Sequence, residues 1–180
     1  MWLKVKISLI GTPQIGKTQV VLKTIDIMER EGIVVGGIIT ERVMDGRDYV
    51  GLKVLDWHSK GFITFAHRSI NSRVRVEKFG VDLRAFDQIA IPAIEWSKEN
   101  ADVIVIDEVG RVEQESKAFT EAVKAVLELD KMMLLTLHKK GRNAILQQVK
   151  MRDDFRSLEV TQVNRTVLPY RIAQFLREEV

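Results

Sequence analysis

The chain reads Gly11-Thr12-Pro13-Gln14-Ile15-Gly16-Lys17-Thr18 near its start, and this string constrains the fold more than any other feature. It matches G-x-x-x-x-G-K-[ST], the spacing of a loop that turns its backbone N–H groups inward around phosphate oxygens. A bulky side chain at Gly11 or Gly16 would block that path. Lys17 supplies a compact positive charge for β- and γ-phosphates, and the Thr18 hydroxyl is a ligand for Mg²⁺. Such a loop needs a strand before it and a helix after it, with the positive end of the helix facing the anion. Residues 3–10 alternate with β-branched side chains (Val5, Ile7), and Gly11 ends the run. Residues 17–31 carry Val20, Val21, Ile25 and Met28 at helical spacing, with Gly32 as the stop. Gly11, Thr12, Pro13, Gln14, Ile15, Gly16, Lys17, Thr18 and Gln19 are therefore the expected phosphate-binding set.

The rest of the chain continues this alternation. Residues 33–40 read as an apolar strand with an internal Gly36-Gly37. Short β-rich runs at 49–55, 62–66 and 73–76 follow, separated by turns at Asp45-Gly46 and His58-Ser59-Lys60-Gly61. They predict an antiparallel meander where a plain α/β protein would have a helix. Helical spacing returns at 83–98, with Pro92 predicting a kink or break. Strands at 103–106, 132–137 and 158–163 alternate with helices at 116–129, 142–151 and 169–178. Ser116 is the expected cap of the first of these, and Pro169 opens the last. The expectation is an α/β fold with a mainly parallel sheet of about five strands, helices on both faces and an inserted meander. Residues 1–180 show no repeat, linker or low-complexity segment and read as one domain.

The second chemical signal is Val103-Ile104-Val105-Ile106-Asp107-Glu108. An apolar strand delivers Asp107 to its C-terminal end, where the carboxylate holds Mg²⁺ through water, a Walker B pattern. Glu108, next in line, is the expected group to polarise an attacking water, and Val109-Gly110 complete the nucleotide-facing segment. The same string also satisfies an apolar strand followed by D-x-x-G. In that rival, GTPase-like reading the Gly110 N–H meets the γ-phosphate and a downstream glutamine such as Gln114 places the water. Thr136 ends the strand that lies, in additional-strand ATPases, between the P-loop and Walker B strands, where a polar residue senses the γ-phosphate or water. His138 follows it. Phosphoryl transfer also calls for a further cation, and Arg42, Arg111, Arg142, Arg152 and Arg165 are the candidates. Trp57 and Trp96 are expected in the core.

Composition excludes several other chemistries. There is no cysteine, so disulfides, zinc–thiolate sites and thiol catalysis are ruled out. None of the three histidines (His58, His67, His138) is spaced i, i+4 from another, which argues against a histidine-based metal site. The net charge of +3 comes without any basic block, and reads as a mixed-sign surface with no nucleic-acid partner expected. No 18-residue apolar stretch predicts a membrane span. The opening residues Met1 to Lys6 interleave polar and apolar side chains, so a cytoplasmic protein is the expectation.

With these residues in hand, the chain resembles the thermophilic nucleoside-triphosphatases abbreviated THEP from end to end. Beyond the P-loop the match takes in Gly37-Ile38-Ile39-Thr40-Glu41, Val81-Asp82-Leu83, Ile91-Pro92-Ala93 and Ile106-Asp107-Glu108-Val109-Gly110. It continues through Ser116-x-x-Phe119, Leu135-Thr136-Leu137-His138, Arg152-x-Asp154 and Asn164-Arg165. The resemblance implies a RecA-like P-loop fold, Mg²⁺, and hydrolysis of ATP, GTP and other nucleoside triphosphates to diphosphate and phosphate. The family usually carries glycine where Gln14 stands, threonine or serine where Gln19 stands, and Gly-x-Met-Glu-Leu where this chain has Gly110-Arg111-Val112-Glu113-Gln114.

Two other functional classes share these motifs. A small-molecule or nucleoside kinase would use the arginine-rich stretch 142–156 as a lid, but the sequence offers no acceptor site. A nucleotide-dependent regulatory module would bind without turnover. Base choice reads as weak, because the stretch Thr136-Leu137-His138-Lys139-Lys140-Gly141 lacks the aspartate that a guanine-reading loop needs.

Overall fold

The computed structural model describes residues 4–110, 115–138 and 144–177. Among these, nine strands form one sheet in the order β5-β6-β4-β3-β2-β7-β8-β1-β9. The strands are β1 (Lys6–Gly11), β2 (Val35–Asp45), β3 (Asp48–Asp56), β4 (Phe62–His67), β5 (Arg75–Val76), β6 (Phe79–Val81), β7 (Val103–Val109), β8 (Met132–His138) and β9 (Phe155–Glu159). The helices are α1 (Lys17–Arg30), α2 (Leu83–Asn100), α3 (Lys117–Leu127), α4 (Ala144–Lys150) and α5 (Leu168–Arg177). The run β2-β7-β8-β1-β9 is parallel, which gives the expected five-stranded core. Each neighbour from β2 outward to β5 is antiparallel, so the meander extends the same sheet instead of standing apart from it.

Parallel strands are apolar on both sides because both faces are covered. Ile7, Leu9, Val103, Val105 and Leu134 face α1 and α5, whereas Ile104, Ile106, Met133, Leu135 and Leu137 face α2, α3 and α4. Asp82 caps α2 by accepting from the Ala85 N–H at 3.0 Å, and Ser116 caps α3 by accepting from the Phe119 N–H at 3.1 Å.

Several expectations need correction. Helix α2 runs unbroken through Pro92. Pro92 and Gln88, whose carbonyl loses its donor, are both exposed, so water meets the freed group. Strand β2 continues past Thr40 to Asp45, because Glu41 to Asp45 pair with β3 across a hairpin. Strand β6 was not foreseen. The last strand lies at Phe155–Glu159 and stops earlier than 163, because Thr161 and Asn164 close a turn: the Thr161 N–H donates to Asn164 Oδ1 at 2.8 Å and the Asn164 N–H to Thr161 Oγ1 at 3.2 Å. Trp57 and Trp96 are half-buried at the surface and not in the core. Trp57 donates through Nε1 to Glu29 at 2.7 Å with Lys60 over its ring, and His58 stacks on Trp96 at 3.5 Å.

Lys6, which reads as one of several interleaved polar residues, is 3% exposed. Its Nζ donates to the Leu127 carbonyl at 2.7 Å and to Asp154 Oδ2 at 2.8 Å. Arg152 clamps the same carboxylate through Nε at 2.8 Å and Nη2 at 3.0 Å. The Arg152 guanidinium, with Lys6 behind it, holds Asp154 down to about 2 from an ordinary 3.8. A depressed carboxylate contributes stability above its unfolded pKa and loses it as pH falls through the folded one. Asp154→Asn is therefore expected to cost roughly 2–3 kcal/mol at pH 7. The gap between wild type and variant should narrow between pH 4 and pH 2. Urea unfolding midpoints at pH 7 and pH 3 measure it, and a gap that stays constant with pH would contradict the assignment.

Candidate active site

The C-terminal ends of β1, β2, β7 and β8 converge, as parallel α/β sheets require of a ligand site. Strand β1 ends at Gly11 and hands the chain to the P-loop. A methyl at Gly11 would sit 2.8 Å from Ile15 Cγ2 and 3.3 Å from the Val160 carbonyl oxygen, so the β1–β9 end leaves no room for a side chain. Gly16 has φ 108° as the residue before α1, a conformation that only glycine adopts without strain. Gln14 also sits in the left-handed region, at φ 64°. A non-glycine residue there costs about 1 kcal/mol, and this is the position at which the resembling family carries glycine. The departure noted in the sequence thus changes the residue while the loop keeps its glycine-type backbone.

Lys17 is 6% exposed, and its ammonium donates to the carbonyls of Gly11 at 3.1 Å and Thr12 at 3.2 Å. The charge is thereby held over the mouth of the loop. Asp107, at the end of β7, is 1% exposed. Thr136, on the neighbouring β8, donates its hydroxyl to Asp107 Oδ1 at 2.5 Å. Thr136 thus reaches the site through Asp107. Burial raises the Asp107 carboxyl to about 6, while the hydroxyls of Thr136 and Thr18 pull it back, Glu108 raises it and Lys17 lowers it. The Asp107–Glu108 peptide bond is cis.

Two buried oxygens have no partner among the described residues: Asp107 Oδ2 and Thr40 Oγ1. They come from adjacent parallel strands but from opposite faces of the sheet: Asp107 shares the face of its partner Ile39, and Thr40 the face of Ile38 and Val54. An unpartnered buried oxygen is costly unless something else satisfies it. A small cation with its water shell does so, and magnesium prefers one or two carboxylates or hydroxyls plus waters and phosphate to a full protein cage. Thr18 and Asp107 form a hard-oxygen pair that fits this ion. No cluster of three or more His, Cys, Asp or Glu competes with it among the described residues.

A cleft of about 680 Å³ opens in front of these groups. One side is the P-loop from Pro13 to Gln19, with Arg165; the other is Thr40, Glu41 and Arg42 of β2, Tyr49 and Leu52 of β3, Phe65 of β4 and the turn at Val76-Glu77. Glu108, Gly110 and His138 line its floor. The meander that sequence reading left without a role therefore builds a wall of the site. Only long-range strand pairing brings it there, and no local signal marks it. Arg42 lies over the Tyr49 ring at 4.5 Å. Burial and the charge of Glu77 raise the Tyr49 phenol to about 12.

The arginine candidates now separate. Arg42 and Arg165 line the cleft. Arg152 is engaged by Asp154 and Glu128 away from it. Arg165 is delivered by the Thr161–Asn164 turn to the end of the P-loop, where a methyl on Gly16 would meet its Cδ at 3.6 Å. Arg111, Gln114 and Arg142 lie outside the described residues.

A phosphate loop between a parallel strand and a helix, a buried aspartate on a nearby strand and a glutamate facing the cleft define a P-loop NTPase. A family model described as NTPase matches residues 6–173. The nucleoside-triphosphatase THEP1 of Picrophilus torridus is 34% identical over 175 residues, covering 97% of each chain. The crystal structure of THEP1 from the hyperthermophile Aquifex aeolicus superposes with a TM-score of 0.84 at 26% identity, over 96% of this chain and 99% of that one. The solution structure of a human cancer-related nucleoside triphosphatase gives 0.84 at 27% identity, over 98% and 99%. The chain belongs to this THEP-type NTPase family. Among the described residues no helix is long and apolar enough to cross a membrane.

Proposed function

We propose that this protein hydrolyses nucleoside triphosphates to the diphosphate and phosphate, requires Mg²⁺ to do so, and discriminates little between bases. The observation that carries the reading is the unpartnered buried oxygen Asp107 Oδ2, beside a P-loop whose lysine lines the cleft. Thr18 and Asp107 hold the ion, directly and through water, with Thr136 fixing the Asp107 carboxylate. Bound there, Mg²⁺ neutralises charge that builds on the β- and γ-phosphates. The P-loop amides hold the phosphates, and Lys17 exchanges its Gly11 and Thr12 carbonyls for the β- and γ-oxygens. Glu108 accepts the proton of a water that attacks the γ-phosphorus. The bond from that phosphorus to the β–γ bridging oxygen breaks, and the diphosphate leaves. Arg165, beside Gly16, supplies the additional positive charge on the phosphates.

Strong base discrimination needs buried polar groups that the wrong base leaves unpaired. The described cleft supplies no such paired reader around the P-loop. The kcat/KM values for ATP, GTP, CTP and UTP are expected to lie within about tenfold of one another. Steady-state phosphate release with each nucleotide measures this, and a thousandfold preference for one base would contradict it.

A further inference from the structure

A second groove, of about 410 Å³, opens between α1 and α5, lined by Gly16, Gln19, Lys23, Arg165, Pro169 and Tyr170. Gly16, Gln19 and Arg165 also line the catalytic cleft, so the two spaces join past the end of the P-loop. We infer that this groove is the nucleobase subsite, in which the base lies on the Tyr170 ring beside Pro169. The inference rests on the catalytic cleft being the triphosphate site.

Direction decides the placement. Glu108 and Thr40 mark the end of the cleft where the γ-phosphate reacts, and Lys17 covers the β- and γ-oxygens. A nucleotide laid along the loop therefore brings its α-phosphate to Gly16 and Gln19, and the nucleoside leaves from there into the groove. The aromatic ring waiting there has no structural role in the core. Helix α5 buries Leu168, Ile172, Ala173 and Leu176 against α1 and the sheet, yet leaves Tyr170 60% exposed. A planar base laid on a phenol ring gains stacking on its face.

The same lining accounts for weak base choice. Among the described residues the groove carries no carboxylate, so a two-oxygen reader of the guanine edge is missing from it. Gln19 and Lys23 sit on an exposed helix face, where the Gln19 amide can meet either a donor or an acceptor and the Lys23 ammonium an acceptor. Stacking is tolerant of base identity because every base presents a π-face. The rival position for the base is the meander half of the catalytic cleft, against Tyr49.

The test compares binding of ATP, GTP, CTP and UTP with binding of inorganic tripolyphosphate, which has phosphates but no base. Isothermal titration is run on the wild type, Tyr170→Ala, Tyr170→Phe and Tyr49→Ala. Tyr170→Ala is expected to weaken all four nucleotides in parallel, by roughly 5- to 100-fold. Tripolyphosphate should bind it as it binds the wild type, and Tyr170→Phe should recover the nucleotide affinity. Equal weakening of tripolyphosphate, no weakening of nucleotides, or a selective nucleotide loss in Tyr49→Ala instead would each overturn the assignment. Failure of the underlying reading looks different: tripolyphosphate would then bind Lys17→Ala as well as it binds the wild type.

Discussion

Glu108→Gln is expected to leave Mg-ATP binding within a few-fold of wild type while kcat falls by roughly 10²–10⁴. The amide keeps the size and shape of the carboxylate but removes the negative charge that draws the proton from water. Glu108 lines the catalytic cleft directly after the buried Asp107, with Thr40 on the adjacent strand. The GTPase-like alternative hands water positioning to Gln114, and under it Gln114→Ala would be the crippling change. The present account expects Gln114→Ala to do little. Single-turnover phosphate release on the two variants, with equilibrium nucleotide binding alongside, separates them. A Glu108→Gln enzyme that turns over normally would remove Glu108 from the mechanism.

Lys17→Ala should have the largest effect of any single substitution. In the proposed mechanism Lys17 brings its charge onto the β- and γ-phosphates, and a preorganised cation in a buried site acts most strongly on charge that develops in the transition state. The expected fall in kcat/KM is about 10³-fold or more. Its structural cost is small by comparison, because the ammonium donates only to the loop carbonyls of Gly11 and Thr12. Thr18→Ala should likewise suppress turnover, and added Mg²⁺ should recover part of the loss if the hydroxyl acts on the ion. Circular dichroism that matches wild type, together with lost phosphate release, is the expected pair of results.

What could be read from the sequence was whatever is written contiguously. The P-loop spans Gly11 to Thr18 because its physics is a turn between one strand and one helix. Asp107 and Glu108 were legible because an apolar strand announces its own end. Thr136 was flagged from its place on a strand, but that its hydroxyl serves Asp107 needed the β7–β8 pairing. The wall of the cleft was not legible at all. Arg42 comes from β2, Tyr49 from β3 and Glu77 from the β5–β6 turn, and only the pairing of the meander strands lays them opposite the loop. Lys6 and Asp154 are 148 residues apart and carry no local mark of being a buried pair. Pro92 misled for the opposite reason: the local rule against proline in helices is sound, but an exposed carbonyl at Gln88 costs little when water meets it. Gln14 shows a further limit, since its type gave no hint that the loop retains a left-handed residue there.

In the proposed mechanism the buried Asp107 carboxylate beside the P-loop makes nucleotide hydrolysis depend on a divalent ion. Phosphate release from ATP, followed with Mg²⁺ and again with excess EDTA, in wild type and in Lys17→Ala, tests it most directly. The account predicts turnover only in wild type with Mg²⁺, and background release in the other three conditions. Release that survives both the chelator and the loss of Lys17 would contradict it.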